Sequence, residues 1–185
     1  GAVADTLEAT RDALRRAAAD NDLVLTSGGV SVGEEDHVKP AVEAEGRLDM
    51  WKIAIKPGKP LAFGEIHTAD GKAWFLGLPG NPVAAFVTFL TMVRPFILRL
   101  QGAGSVSPRV LSLPSASVWS RADGARLEFL RGRINDDGAF ELYKSQGSAV
   151  VTSLCWGDGL ALNPPGNTIA IGDTVSFVSF AELLS

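Results

Sequence analysis

One cysteine, Cys155, stands in 185 residues. An internal disulfide and a cysteine-rich metal site are therefore excluded, and a reducing compartment, the cytoplasm, is the simplest setting. Positive charge is also short, with 17 Lys and Arg against 21 Asp and Glu and a net charge of −4. The basic excess that grips a phosphate backbone is missing, so nucleic acid is not an expected partner. The deficit is even, with 11 basic and 13 acidic residues up to Ser107 and 6 and 8 after it. The longest apolar run, PVAAFVTFLTMV from Pro82 to Val93, stops at Arg94. It falls short of the ~18 residues of a bilayer span and is expected as a buried helix. The opening GAVADTLEATRDALRR is polar with no apolar core segment, unlike a signal peptide. What is present, 46% hydrophobic and 21% charged residues, suits a globular chain of one large or two small domains.

The pattern divides near GAGSVSP, Gly102 to Pro108. Before it, Leu7, Leu14, Ala17 and Ala18 recur at helical spacing, and Asp5 with Glu8 forms a capping signal for a helix starting at Asp5 or Thr6. DLVLTS, Asp22 to Ser27, suits a central parallel strand, and residues 38–45 suit a helix between Pro40 and Gly46. LDMWKIAI, Leu48 to Ile55, alternates as one strand, putting Lys52 and Lys56 on the same face. PLAFGEI and KAWFLGL form a hairpin through Asp70 and Gly71. A long helix follows with Asn81 as N-cap and Pro82 at its first position, kinked at Pro95. After Pro108, RVLSL, ARLEFLRGRI, AFELYKS, GLALNP and DTVSFVSF read as strands of an all-β module, a small barrel or sandwich.

Three loops carry candidate chemistry. In TSGGVSVGEED, glycines directly after a strand can turn backbone N–H groups toward an anion, or can make a tight turn alone. Asp36, beside Glu34 and Glu35, either caps the next helix or joins a divalent metal near that anion. GVSVG also fits the G-x-S-x-G nucleophile elbow with Ser31, which then needs His37 or His67. In IAIKPGKP, Lys52, Lys56 and Lys59 are point charges suited to an anion, or lysines guarding an edge strand. Trp51 and Trp74 are expected in packing. In LPGNP, Pro79 and Pro82 stiffen the backbone around Gly80, and Asn81 starts a helix whose free N–H groups face outward. Together the loops point to an anionic or phosphate-bearing ligand with a divalent metal.

At DLVLTSGGVSVGEEDHVK, WKIAIKPGKPLAFG and FLGLPGNPVAAFVTF, and more weakly at SQGSAVVTSL and GLALNPPG, the chain resembles the molybdopterin molybdenumtransferases, the MoeA type and the E domain of gephyrin. The resemblance implies a three-layer α/β molybdopterin-binding domain over residues 1–104, lacking its first strand, and a small C-terminal β-barrel over 108–185. The implied reaction inserts molybdate into adenylylated molybdopterin with magnesium and releases AMP. By motif position, Gly28, Gly29, Ser31 and Gly33 would line the pterin phosphate loop. Asp36 would hold metal and serve catalysis, Lys52 and Lys56 would meet the anion, and Lys59 and Pro79 to Pro82 would shape the pocket. Asp5 would be a further family carboxylate. A homodimer in the full-length protein, with an upstream molybdopterin adenylyltransferase, is also implied. A gephyrin-like scaffold and a Ser31 hydrolase are the alternatives.

Overall fold

The computed structural model describes residues 2–30 and 37–185, and at Met50 and Trp51 the backbone alone. Its contacts gather into two compact units, Gly1–Ile53 with Gly58–Asn81, and Ala54–Pro57 with Pro82–Ser185. This grouping differs from a division near Gly102 by placing the helical segment 82–100 with the C-terminal sheet.

In the first unit α1 spans Leu7–Ala19, and the Thr6 hydroxyl rather than Asp5 accepts the capping N–H of Ala9 at 3.2 Å. It is followed by β1 (Leu23–Ser27), α2 (Val38–Glu45), β2 (Gly46–Lys52), β4 (Pro60–Thr68) and β5 (Gly71–Leu78), the two-residue β3 (Ile55–Lys56) lying in the other unit. The sheet order is β1-β5-β4-β2, with β1 parallel to β5 and the other pairs antiparallel. Among the described residues β1 is therefore an edge strand, not a central one, and Leu25 stays 40% exposed. The two helices touch each other and both touch β4, so they share one face of the sheet. Leu14 and Ala18 of α1 and Ala41 and Val42 of α2 pack there with Val24, Val30, Ile66 and Phe75. Trp74 stacks on Phe63 with Lys72 over its ring.

The run LDMWKIAI is not one strand. It ends as β2 at Lys52, and Ile55–Lys56 pairs instead with β7 of the second unit. Alternation continues through Ile53 and Ile55 because both sheets require it, which is why the break leaves no mark in the pattern. The lysines of the run consequently belong to different units.

The second unit contains β3, α3 (Pro82–Thr88), a π-helical turn (Phe89–Val93), α4 (Arg94–Leu100), β6 (Leu111–Pro114) and β7 (Leu127–Ile134). It continues through β8 (Phe140–Leu142), α5 (Thr152–Trp156), β9 (Gly159–Asn163), β10 (Thr174–Ser179) and α6 (Phe180–Leu184). The two five-residue helices make it mixed rather than all-β. The sheet runs β3-β7-β9-β10-β6 with β8 on β7. The expected barrel is not closed: only a single-residue bridge from Ser115 to Phe140 spans the gap, and one bridge is not a ladder. Leu130, Phe140, Ala161, Ile169, Val175 and Phe177 form the core.

The 82–100 segment bends by a π-helical turn just before Pro95, where Arg94 N–H donates to Phe89 O. Pro95 lacks the N–H that would bond Thr91 O, and the wider turn accommodates that loss in place of a simple proline kink. At 19 residues and mean hydropathy 1.7 the segment, which continues past the apolar run that stops at Arg94, has the length and composition of a membrane span. A core helix passes the same test, and Val83, Val87, Leu90 and Val93 are all buried.

Candidate functional site

Two loops leave the same end of the first unit's sheet. Parallel pairing sets Ser27 opposite Leu78, so the chain departs from β1 into Gly28–Gly29 directly beside its departure from β5 into Pro79–Asn81. Gly28 and Gly29 have φ of +84° and +68°, the left-handed region where a side chain is strained. Gly28 N–H donates to Leu78 O at 3.0 Å, and a Cβ on Gly80 would lie 3.5 Å from Gly28 Cα. The glycines thus let the loops run side by side at the carboxyl ends of two parallel strands, the usual ligand position in open α/β sheets. Because Gly28 spends its own N–H on Leu78, any anion contact falls to N–H groups beyond it. Val30 turns inward and is 1% exposed.

Lys52 pairs with Pro60 at this same sheet end, across β5 and β4 from the glycines. Three strand spacings of ~4.8 Å put the two edges about 14 Å apart. Lys59 is exposed beyond it, and its carbonyl accepts Ile53 N–H at 3.0 Å. Asp5 is exposed, 4.0 Å from His37 Nε2. Ser31, Gly33 and Asp36 lie outside the described residues, as do Glu34 and Glu35. Among the described residues no three Asp, Glu, His or Cys side chains converge. His67 pairs with Lys72 at the hairpin end of the sheet, opposite the Gly28–Gly29 and Pro79–Asn81 loops.

In the second unit the structure adds polar residues that the motifs did not indicate. Glu128 is 1% exposed, and its carboxylate accepts from Lys56 Nζ at 3.0 Å, Trp119 Nε1 at 2.8 Å and Asn163 Nδ2 at 3.0 Å. Burial pushes this carboxyl up, but the hydrogen bonds from Trp119, Asn163 and Lys56 outweigh it and hold it below its ordinary value. Lys56 is thus engaged by a carboxylate of its own unit. Asp123 is held lower, at about 2, by hydrogen bonds from the Arg126 side chain and the Ala125 N–H. Arg131 is also 1% exposed and, among the described residues, its guanidinium has only neutral acceptors, Gly147 O at 3.0 Å, Ser153 Oγ at 3.3 Å and Phe129 O at 3.4 Å. Burial lowers its pKa to about 10, so it stays charged at neutral pH. With Gln146, which bonds both backbone groups of Arg131, it secures the loop whose Ser148 carbonyl accepts the Val83 N–H at the start of α3. A charged residue inside the apolar run FLRG was the one available sign of it.

The profile of the family described as "Probable molybdopterin binding domain" matches residues 1–99. The chain belongs to this family. Residues 118–180 match a second profile, the MoeA C-terminal region, domain IV. A molybdopterin molybdenumtransferase of Haemophilus influenzae is 44% identical over 172 residues, covering 88% of this chain and 41% of that protein. A protein of the same name from Nostoc sp. is 33% identical, covering 91% of the chain and 39% of the relative. A molybdopterin biosynthesis MoeA protein from Pyrococcus horikosii has the same fold, with a TM-score of 0.75 over 97% of this chain and 42% of that one at 24% identity. The chain spans about two-fifths of the length of these relatives.

Proposed function

We propose that the chain serves molybdenum cofactor biosynthesis as part of a molybdopterin molybdenumtransferase, an enzyme that inserts molybdate into adenylylated molybdopterin and releases AMP. The observation that carries this reading is the pair of adjoining glycine loops at the carboxyl ends of β1 and β5, in a chain whose relatives bear that name. N–H groups from Gly29 through Ser31 and Gly33 would hold the pterin phosphate, with Gly80 and Asn81 forming the adjoining wall between Pro79 and Pro82. Lys52 and Lys59, at the same sheet end, would add positive charge. Lys56, which the resemblance also gives to the anion, belongs to the second unit, where its ammonium is held by Glu128. Asp36 would supply the carboxylate that the resemblance gives to magnesium, which would neutralise charge on phosphate oxygens, and Asp5 would be a further family carboxylate beside the substrate. The described residues do not assemble a metal site, so no step here depends on that ion.

Cytoplasmic location, homodimerisation and supply by an upstream adenylyltransferase complete the proposal. Relatives named as transferases favour neither the scaffold nor the hydrolase alternative. Titration calorimetry of molybdopterin into the chain tests the reading. Binding is expected to weaken about tenfold in Lys52→Ala, the scale of one lost charge-assisted contact, and to disappear in Gly29→Val. Equal heats from all three proteins, or none from the unmodified chain, would refute it.

A further inference from the structure

The second unit has a polar cleft of about 370 Å³, lined by Ser117, Trp119, Ser120, Arg121, Leu142 and Lys144 among others. Its lining includes no acidic residue. Elsewhere many basic side chains are paired with carboxylates: Arg11 and Arg15 with Glu45, Lys72 with Glu65, Arg133 with Glu141, and Arg126 with Asp123. Among the described residues Arg121 and Lys144 have no carboxylate partner. The cleft therefore gathers two uncompensated cations, one a planar fork and one a point charge.

The wall between them is rigid. Ser115 Oγ donates to Ser117 O at 2.8 Å and accepts Ser117 N–H at 3.2 Å, while the Trp119 backbone exchanges hydrogen bonds with Ile169 at 2.8 and 2.9 Å. The Trp119 indole N–H is pinned to Glu128. Ser117 Oγ already accepts Leu142 N–H at 3.0 Å, so its hydroxyl proton is left to donate into the cleft. Two cations, two serine hydroxyls and no carboxylate make a lining rich in donors for an anion, and a volume of about 370 Å³ lies in the range of small-molecule sites, about 300–1,000 Å³.

We infer that this cleft binds a phosphate group, as the free dianion or as a phosphomonoester whose organic part lies against Trp119 and Leu142. All the lining residues of the cleft belong to the second unit. The hydrogen-bonded backbone of the wall is set before binding, so the ordering cost falls on the exposed Arg121 and Lys144 side chains.

Amide NMR titrations of the chain with orthophosphate and with phenyl phosphate test it. Both ligands should shift the amides of residues 117–121 and 144, and added salt should weaken both. Tighter binding of phenyl phosphate identifies a phosphomonoester site, and equal binding identifies a site for the bare dianion; either supports the inference. In Arg121→Ala/Lys144→Ala, both exposed positions, these shifts should require at least about tenfold more ligand. The amide shifts of the Phe140 and Phe177 core should stay unchanged and report that the variant is folded. Shifts confined to residues 28–29 and 80–81, or titrations unaffected by the double substitution, would overturn the inference without touching the proposal for the first unit.

Discussion

Replacing Glu128 by Gln keeps the shape of a buried side chain while removing the charge that three donors share. An amide oxygen can still accept from Trp119 and Asn163, but its NH2 group then faces the Lys56 ammonium, donor against donor. Breaking a buried pair costs roughly 3–5 kcal/mol. The Lys56 side chain is 37% exposed and regains water when released, so the expected loss is smaller, about 2–3 kcal/mol. At about 2–4 °C per kcal/mol for a chain of this size, the melting temperature of the second unit should fall by about 4–12 °C at pH 7. The pH dependence carries a sign. Glu128 titrates below its ordinary 4.5 in the folded protein, so its stabilisation is complete above that value and is lost as pH falls through the lower folded one. Thermal melts by circular dichroism should therefore show the variant well below the unmodified chain at pH 7 and the gap narrowing in acid. Coincident melts at pH 7, or a gap unchanged by acid, would refute the assignment of Glu128 as an ionised, stabilising hub.

In Gly159→Ala a Cβ would meet Val178 O at 2.2 Å and Phe177 Cζ at 2.7 Å, so urea midpoints should drop by the equivalent of about 1–3 kcal/mol with little change in slope. The Asp123 carboxyl carbon should titrate near pH 2 by NMR, and its stabilisation, complete above pH 3.8, should vanish only as pH falls through about 2. Arg131→Met leaves Gly147 O and Ser153 Oγ without their guanidinium, so trypsin should cut at Lys144 faster than in the unmodified chain while the Phe140–Phe177 core persists by NMR.

Much of this architecture is legible because it rests on local rules. The Val38–Glu45 helix appears within its expected bounds, and the hairpin from Pro60 to Leu78 turns where Asp70 and Gly71 demand it. The glycines after β1 are legible for the same reason, since φ values of +84° and +68° need glycine wherever the loop lies. What escaped the sequence depends on pairing at a distance. The passage from β2 to β3 is invisible because each sheet asks for the same alternation, and Lys56 meets Glu128 across 72 residues of chain. The helices Thr152–Trp156 and Phe180–Leu184 are too short to show a period. The module stays open because β3 has only two residues and β6 four, and no sequence pattern states whether such ends pair.

The central claim is that the adjoining loops after β1 and β5 hold the anionic end of a pterin. Titrating molybdopterin into the 15N-labelled chain while following every backbone amide tests it most directly. The account predicts the largest shifts at Gly29, Gly80 and Asn81, abolished by Gly29→Val; absent shifts there, or saturation unaffected by that substitution, would contradict it.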